Sequence, residues 1–349
     1  MATGQGKTRT RGQKIRRGIA WGALGVVVVG GGLGVWAYSH LDGNIRTVDI
    51  KKALGNDRPA QLPTGAQDIL LLGSDSRSGL NGDVINDHEY IGARSDTAML
   101  VHIPAGRKRA TVVSIPRDTL VDRPSCTSET GRHVAAAHLV MFNSVFSTGG
   151  PPCVVKTIEK MTDIRIDHYV EIDFSGFKSL VDAMGGVDIT VDKAIDDKHS
   201  GLDIPAGTSK LNGTQSLAFV RTRYSVGDGS DLGRIQLQQK FLISVLSQIQ
   251  KQKSLSDPVK LYRIGDAATK AITTDSDLGS LTSLLDFAKS MQGLNSAHLQ
   301  TVQLPVAYDV KNPNRVVPVR KLDDELWQAL RTDAPIPEAV KHSPAHGTV

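Results

Sequence analysis

Arginines in this chain stand beside acidic residues, or beside one another, at several separate places in the sequence. A guanidinium group is planar and permanently charged, so a set of arginines is suited to hold a phosphate or a pyrophosphate. Carboxylates among them supply the hard oxygen ligands that a phosphate-bound magnesium ion requires. These residue types predict a site for phosphoryl chemistry. Its candidate residues are Asp75, Arg94, Asp96, Arg117, Asp118, Arg221, Arg223, Asp231, Arg234 and Gln238.

Short apolar runs of strand length alternate with segments of helical periodicity through most of the chain. The predicted strands are Asp68–Leu72, Thr97–Ile103, Ala110–Ile115, Val187–Val191 and Leu299–Leu304. The predicted helices are Phe174–Met184, Thr214–Val220, Leu232–Lys251 and Leu278–Met291. Strands and helices in this order predict an α/β fold, an α-β-α sandwich with a central mixed β-sheet.

Several candidate residues stand where a predicted strand begins or ends. Asp75 follows the first strand across a glycine turn, and ligands of open α/β sheets bind at such carboxyl ends. The alternative is an ordinary turn, in which the side chain of Asp75 only accepts hydrogen bonds from backbone N–H groups. Pro116 ends the third strand and fixes the direction in which Arg117 projects, which suits the clamping of a phosphate. Asp96, at the entrance of the second strand, is suited either to bind a metal ion or to form a structural ion pair.

Two further segments place candidate side chains on a common face. Arg221 and Arg223 are two residues apart, so in an extended segment both guanidinium groups point the same way and require an anion between them. A solvated pair is the alternative. Asp231, Arg234 and Gln238 lie at positions i, i+3 and i+7 of a predicted helix, where they reach the same bound group.

The N-terminus predicts a membrane anchor. Residues 1–17 carry six basic residues and no acidic one, and residues 18–41 contain no Asp, Glu, Lys or Arg. That length crosses a bilayer, and Trp36 and Tyr38 stand at the expected depth of the interface. The alternative, a cleaved signal peptide, usually has a shorter apolar region. We therefore expect a single-pass protein of the cell membrane, with the basic tail in the cytoplasm and the later residues outside.

Beyond the anchor, the sequence predicts a stalk at 42–67, an extracytoplasmic domain at 68–333 and a disordered tail at 334–349. Six of the 41 basic residues precede residue 18, so the rest of the chain has 35 basic residues against 36 acidic ones and is nearly neutral. The arginines of the predicted domain are therefore a local feature. This distribution argues against a nucleic acid as partner.

The chain contains two cysteines, Cys126 and Cys153. Both lie in the part predicted to be outside, where an oxidising environment favours a disulfide between them. Two buried free thiols are the alternative. Neither cysteine belongs to a C-x-x-C motif, so a structural zinc site is not expected.

Seven sequence blocks, taken in order, resemble the LytR-CpsA-Psr family. The blocks are LLLGSDSR, RSDT, SIPRD, the Gly149-Gly150 pair before Pro151, FSGFKSLVDAMGGVDITV, LNGTQSLAFVRTR and DLGRIQLQQ. The resemblance runs from about Asp68 to Lys251 and, more loosely, to the end of the predicted domain, after a single predicted anchor. Seven ordered blocks in one chain are far more specific than any one of them.

The resemblance implies a phosphotransferase that moves a phosphorylated glycan from a polyprenyl-pyrophosphate carrier to peptidoglycan, with Mg²⁺ as cofactor and Mn²⁺ as the alternative ion. Carried over by position, it assigns Asp75 and Asp96 to the metal ion. It assigns Arg94, Arg117, Arg221, Arg223 and Gln238 to the pyrophosphate, with Asp118, Asp231 and Arg234 beside them to support or orient. Arg117 and Asp118 are the candidates nearest the attacked phosphorus. Leu237 stands where the family frequently has an arginine, which puts one phosphate contact in doubt.

Two other functions stay open on the sequence. The first is a hydrolase that uses the same site to cleave a pyrophosphate-linked lipid with water as acceptor. The second is a receptor without catalytic activity, in which the arginines bind a polyprenyl pyrophosphate to report the state of the envelope.

Overall fold

The computed structural model describes residues 32–74, 95–223, 231–251, 257–294, 296–341 and 347–348. The chain divides into two compact units, Met1–Asn44 and Ile45–Val349. In the first unit, residues 32–43 are helical and form α1. Within the described residues, no helix is both long and apolar enough to span a bilayer. The predicted basic tail and most of the predicted anchor at 18–41 lie outside those residues.

The described part of the second unit contains the elements that carry the candidate site. Its strands are β1 Arg46–Val48, β2 Gln67–Ser74, β3 Ser95–Ile103, β4 Ala110–Ile115, β5 Leu120–Arg123, β6 Cys126–Thr127, β7 His133–Val134, β8 Ala137–Met141, β9 His168–Asp173, β10 Val187–Val191, β11 Ile195–Asp197, β12 Leu202–Ile204, β13 Gly207–Leu211, β14 Ile272–Asp275, β15 Leu299–Gln303, β16 Val306–Tyr308, β17 Val316–Pro318 and β18 Gly347–Thr348. Its helices are α2 Ile50–Leu54, α3 Phe142–Thr162, α4 Phe174–Met184, α5 Gly213–Arg221, α6 Asp231–Lys251, α7 Pro258–Ala271, α8 Leu281–Ser290, α9 Arg320–Arg331 and α10 Glu338–Lys341. Every strand and helix predicted from the sequence is present, with ends that differ by a few residues.

A seven-stranded sheet lies at the centre of this unit, in the order β1-β14-β9-β2-β3-β4-β15. β3 pairs antiparallel with both β2 and β4, whereas β9 runs parallel to β2 and β15 runs parallel to β4. The predicted central mixed sheet is therefore confirmed. Residues Ile69–Leu72 of β2 and Ala98–Val101 of β3 are continuously apolar because both faces of the sheet are covered there.

One face of the sheet packs against α3 and α9. Leu70 of β2 and Leu100 of β3 lie in a buried cluster with Phe146 of α3 and Trp327 of α9. Residues of this face alternate along each strand with residues of the opposite face, because successive side chains of a strand point to opposite sides of the sheet.

The other face packs against α6 and α8. Ile69 of β2 and Val101 of β3 lie in a cluster to which Leu242 of α6 and Phe287 of α8 contribute. Helices thus cover both faces, which gives the α-β-α arrangement that the sequence predicts.

A further buried cluster joins β10, β11, β12 and β13, here called the small strands, to α4, α5 and α6. Val187 of β10 packs here with Phe219 of α5 and with Leu237 and Phe241 of α6. Since Leu242, the next residue of α6, belongs to the cluster on the sheet, α6 connects the small strands with the central sheet.

The stretch predicted as a stalk, 42–67, belongs in large part to the folded unit. β1 pairs parallel with β14 at the edge of the sheet, and Ile50 and Leu54 of α2 are buried. Arg58 donates from Nε to Oε1 of Glu159 over 2.9 Å, and both side chains are almost completely buried. The domain therefore begins earlier than predicted. The sequence does not reveal this, because such short elements have no periodicity and are held by residues far along the chain.

The predicted disordered tail at 334–349 is also folded in part. Ile336 and Val340, the latter in α10, are buried in the cluster that contains α3 and α9. β18 pairs parallel with β16. Two apolar residues four positions apart are enough to dock a single helical turn, although the composition of the segment is that of a disordered tail.

A disulfide joins Cys126 of β6 to Cys153 of α3, as predicted. α3 is interrupted at Gly150, which has a φ of 67° and precedes two prolines. A side chain added at Gly149 would overlap Sγ of Cys153, so only glycine fits at that position. The disulfide thus fastens the β6–β7 hairpin to the interrupted part of α3.

The strand ends that carry the candidate site meet at one edge of the sheet. Ser74 at the end of β2 pairs with Ser95 at the start of β3, and Ile115 at the end of β4 pairs with Ala98. β9 and β15 end at this edge too, because they run parallel to β2 and β4. Four strands therefore end where ligands of α/β sheets usually bind.

Candidate functional site

Asp96 and Arg117 form the centre of the candidate site. Asp96 is the second residue of β3, and Arg117 follows Pro116 directly after β4. Nη1 of Arg117 donates a hydrogen bond to Oδ1 of Asp96 over 2.7 Å. The side chains of Arg117 and Asp96 are 20% and 18% exposed, so each can still contact a ligand.

The turn after β4 is fixed by backbone hydrogen bonds. The N–H of Thr119 donates to the carbonyl of Pro116 over 3.1 Å, and the hydroxyl of Thr119 donates to the same oxygen over 2.6 Å. The N–H of Asn143, at the start of α3, donates to the carbonyl of Arg117 over 3.0 Å. Oδ2 of Asp118 lies 3.6 Å from Nε of Arg117. The main chain beneath both charged side chains is therefore held in place before a ligand binds, which preorganises the site.

Arg234 and Gln238 of α6 lie behind Asp96. Arg234 is only 3% exposed, and its Nη2 donates to the backbone carbonyl of Asp96 over 2.9 Å. Nε2 of Gln238 donates to Oγ1 of Thr97 over 2.9 Å and to the carbonyl of Val220 over 3.2 Å. These two side chains position the start of β3 against α5 and α6. Direct contact of either with a pyrophosphate stays a prediction.

Arg221 and Arg223 do not share an extended segment, contrary to the sequence expectation. Arg221 is the last residue of α5, and its Cζ lies 5.1 Å from the ring centroid of Phe174. Thr222 is fully buried between them. The N–H of Arg223 donates to Oδ2 of Asp197 over 3.1 Å. The period-two argument fails because α5 runs one residue further than predicted, although both arginines follow the segment that Gln238 contacts.

Three predicted site residues lie outside what the structure describes. Asp75 and Arg94 belong to the stretch 75–94, which is not described. Asp231 is the first residue of α6, and its side chain is not described. Their assignment to the metal ion and the pyrophosphate stays a prediction.

The carboxylates at the sheet edge fit a magnesium ion that is shared with a substrate. In phosphoryl transfer, Mg²⁺ is held by one or two carboxylates together with substrate phosphate oxygens. Asp96 offers such a carboxylate, partly exposed and on a fixed strand. The described ranges contain no group of three or more His, Cys, Asp or Glu residues that could hold a metal ion. A magnesium ion at this edge stays a prediction.

Two side chains of the site edge were not predicted. Nη1 of Arg315, just before β17, lies 3.9 Å from Oδ1 of Asp118. Nε2 of Gln239 donates to Oγ of Ser114 over 3.1 Å and so joins α6 to β4. The DLGRIQLQQ block already pointed to the second of these. No local pattern marks Arg315, because the fold alone brings it beside a residue distant in sequence.

Comparison with known proteins identifies relatives of the whole unit. A model of the LytR_cpsA_psr family matches residues 37–332. The cell wall biosynthesis protein LcpA of Corynebacterium glutamicum is 30% identical over 325 residues, which are 86% of this chain and 61% of LcpA. The polyisoprenyl-teichoic acid–peptidoglycan teichoic acid transferase TagT of Bacillus subtilis is 31% identical over 285 residues, 78% of this chain and 81% of TagT. The chain thus spans about three fifths of LcpA.

Solved structures show the same fold. TagV of Bacillus subtilis superposes with a TM-score of 0.60 at 24% identity, over 78% of this chain and 99% of that chain. A LytR-Csp2A-Psr enzyme from Actinomyces oris gives a TM-score of 0.59 at 23% identity, over 82% and 95%. The family match includes the central sheet, the edge with Asp96 and Arg117, and helix α6. The chain belongs to the LytR-CpsA-Psr family.

Proposed function

We propose that this protein is a phosphotransferase that moves a glycan phosphate from a polyprenyl-pyrophosphate carrier to peptidoglycan. The observation that carries the proposal is the row of charges formed by Asp96, Arg117 and Asp118 at the carboxyl edge of the sheet. Relatives named as teichoic acid transferases to peptidoglycan, TagT and TagU, support the reaction class.

In the proposed reaction, a sugar hydroxyl of the acceptor attacks the phosphorus next to the glycan. A new P–O bond forms, the bond to the bridging oxygen breaks, the carrier leaves as its monophosphate, and the hydroxyl proton is released. Negative charge is spread over the equatorial oxygens and the leaving phosphate, so fixed guanidinium groups lower the barrier.

In this proposal, each residue of the site has a role that follows from its position. In this reaction Arg117 meets the charge of the transferred phosphate. Its fork of five N–H donors allows it to bind Asp96 and a ligand together, which supports this role. Asp118 places a second negative charge beside that guanidinium, with Oδ2 3.6 Å from Nε. Arg234 and Gln238 keep β3 and α5 at fixed positions around the bound group.

A magnesium ion would be held by Asp75 and Asp96 and would neutralise part of the pyrophosphate charge when bound. The partly exposed carboxylate of Asp96, on a strand fastened by Arg234, supports this role. Turnover measured at increasing concentrations of Mg²⁺, and in a separate series of Mn²⁺, tests whether the reaction requires a divalent ion. Full turnover in the presence of a chelator would contradict it.

We also propose that residues 18–41 anchor the protein in the membrane, with the unit Ile45–Val349 outside. The uncharged stretch, the basic tail and the disulfide, which is typical of oxidising compartments, support this placement. Protease added to intact cells should digest this unit, and complete protection would contradict the orientation.

One experiment tests the transfer itself. The full chain in detergent is incubated with a short-chain polyprenyl-pyrophosphate glycan, Mg²⁺ and a peptidoglycan oligomer, and the products are identified by mass spectrometry. We expect a phosphodiester-linked conjugate that is absent with Asp96→Ala. Asp203→Ala, at an exposed position of β12, is the matched control and should retain the product.

The other products have distinct meanings. Free glycan phosphate without a conjugate would indicate the hydrolase. Intact donor that co-purifies with the protein, with no turnover, would indicate the receptor. Either result would overturn the transferase.

A further inference from the structure

The turn between β16 and β17 is closed by its own hydrogen bonds. The N–H of Asp309 donates to the carbonyl of Arg315 over 3.0 Å, and the N–H of Arg315 donates to the carbonyl of Asn312 over 2.9 Å. The N–H of Asn314 donates to Oδ1 of Asn312 over 3.1 Å. Nη1 of Arg315 donates to the carbonyl of Asn314 over 2.9 Å. Arg315 is therefore ordered before any ligand arrives.

This hairpin is bonded to the segment that carries Arg117 and Asp118. The N–H of Val316 donates to the carbonyl of Asp118 over 3.3 Å, and Val316 forms a bridge with Thr119. Nη1 of Arg315 lies 3.9 Å from one carboxylate oxygen of Asp118, and Nε of Arg117 lies 3.6 Å from the other. Both separations exceed a hydrogen bond. Asp118 thus attracts two guanidinium groups without taking a hydrogen bond from Arg315.

The charged row has two distinct ends. Arg234 of α6 lies at one end, behind Asp96, and Arg315 lies at the other end, beyond Asp118. In phosphoryl transfer, the attacking and leaving oxygens lie roughly in line on opposite sides of the phosphorus. If the donor pyrophosphate lies over Arg117 with its carrier toward α5 and α6, the acceptor approaches from the end marked by Arg315.

The turn at that end is exposed and carries polar side chains beside the apolar Val310, which is 82% exposed. Residues 310–314 of the turn are exposed, and they include two asparagines and a lysine. The side chain of Arg315 is 29% exposed. Guanidinium groups donate to hydroxyl and carboxylate oxygens alike, which are the groups that a glycan strand presents.

We propose that Arg315 binds the acceptor, donating hydrogen bonds to hydroxyl or carboxylate oxygens of the incoming peptidoglycan strand. The inference rests on the proposed transfer to peptidoglycan, and it adds the residue that receives the second substrate. Asp118 then stands between a donor-side arginine, Arg117, and an acceptor-side arginine, Arg315. Its carboxylate lies between the two like charges, 3.6 Å from Nε of Arg117 and 3.9 Å from Nη1 of Arg315, and so reduces the repulsion between them.

The test compares the wild-type chain with Arg315→Ala and Arg315→Lys, titrating the peptidoglycan oligomer at saturating donor. Loss of a charge-assisted hydrogen bond should raise the KM for the acceptor about tenfold or more, while the KM for the donor stays within about twofold. Arg315→Lys should recover part of the affinity, because it keeps the charge but not the planar fork. Arg320→Ala, an exposed arginine at the start of α9, is the matched control and should leave both KM values unchanged.

An unchanged acceptor KM in Arg315→Ala overturns the proposal. A lower kcat with unchanged KM overturns it as well, since Arg315 would then act only by positioning Asp118. If Arg315→Ala does not fold, as judged by thermal unfolding, Arg315→Lys decides by the same two constants.

The binding of the peptidoglycan oligomer alone, by calorimetry, separates this inference from the proposed function. If the wild type forms no conjugate, the transfer fails as a function. Oligomer binding about tenfold weaker in Arg315→Ala would still support the acceptor site, and equal binding would overturn it.

Discussion

Arg117 is paired before any substrate arrives, and this pairing shapes what the residue can do. Its Nη1 holds Asp96 at 2.7 Å, while its backbone carbonyl is fixed by Asn143. An arginine that is held at the tip of its side chain and at its backbone has little conformational freedom to lose when a phosphate binds, so more of the interaction remains available in the transition state. A lysine at this position would bring the charge without the planar arrangement of donors.

Arg117→Ala should therefore lower kcat/KM for transfer by about 100- to 1,000-fold, the loss expected when one fixed charge-stabilising donor is removed. Arg117→Lys should restore only a small part of that loss. Conjugate formation under single-turnover conditions measures both, with Arg320→Ala as the control. Wild-type turnover in Arg117→Ala would show that the chemistry takes place elsewhere.

At the scale of single elements, strong local signals predicted the boundaries well. β4 ends at Ile115, directly before Pro116, as expected, because proline cannot continue the ladder. α4 ends before Gly185, which takes a left-handed φ of 86° and closes the helix. Elements without such signals were missed. β1 is held by β14, and Arg315 reaches Asp118 only through the fold, so neither leaves a pattern in its own neighbourhood.

Helix α9 carries a carboxyl group that titrates near neutrality. Burial, opposed by the indole of Trp327 and reinforced by the charge of Asp324, raises the pKa of Asp323 to about 7. In an unfolded chain an aspartate titrates near pH 3.9. Between about pH 4 and pH 7, the folded state therefore keeps a proton that the unfolded state releases, and stability falls as the pH rises through that window.

Asp323→Asn should remove this dependence. We expect the variant to be more stable than the wild type by about 2–4 kcal/mol at pH 8 and to differ by less than about 1 kcal/mol at pH 4. Urea unfolding at the two pH values measures the difference. Asp324→Asn, its exposed neighbour, should show no comparable gain. An equal gain for Asp323→Asn at both pH values would rule out titration of this carboxyl as the cause.

On the scale of the whole unit, side-chain contacts join distant segments at the edge of the sheet opposite the site. The ring of His102 lies between two carboxylates, with Nδ1 2.9 Å from Oδ1 of Asp68 and Nε2 2.9 Å from Oδ1 of Asp333. Burial acts to lower the pKa of His102, but hydrogen bonds and charges from Asp68 and Asp333 outweigh it and raise the pKa. The start of β2 and the end of β3 are thus tied to the segment that follows α9.

The disulfide also joins two segments that are distant in sequence, and we predict the effect of its removal on stability. Replacing Cys126 and Cys153 together by serine should lower the free energy of unfolding by about 2–4 kcal/mol, because the unfolded chain is no longer closed into a loop. Denaturant unfolding with and without a reductant measures this. The reductant should destabilise the wild type to the level of the double variant and leave the variant unchanged. Equal stability of the oxidised wild type and the variant would contradict the stabilising role.

Helix α6 contacts the candidate site, the small strands and the central sheet. Arg234 and Gln238 in its first turns lie at the site. Further along the helix, Phe241 packs in the cluster of the small strands, and Leu242 packs against the central sheet. A helix is stiff over such a length, so a shift of the small strands relative to the sheet would tilt Arg234 and with it the start of β3. In the proposed reaction, such a shift would change the position of the charged side chains around the bound phosphate.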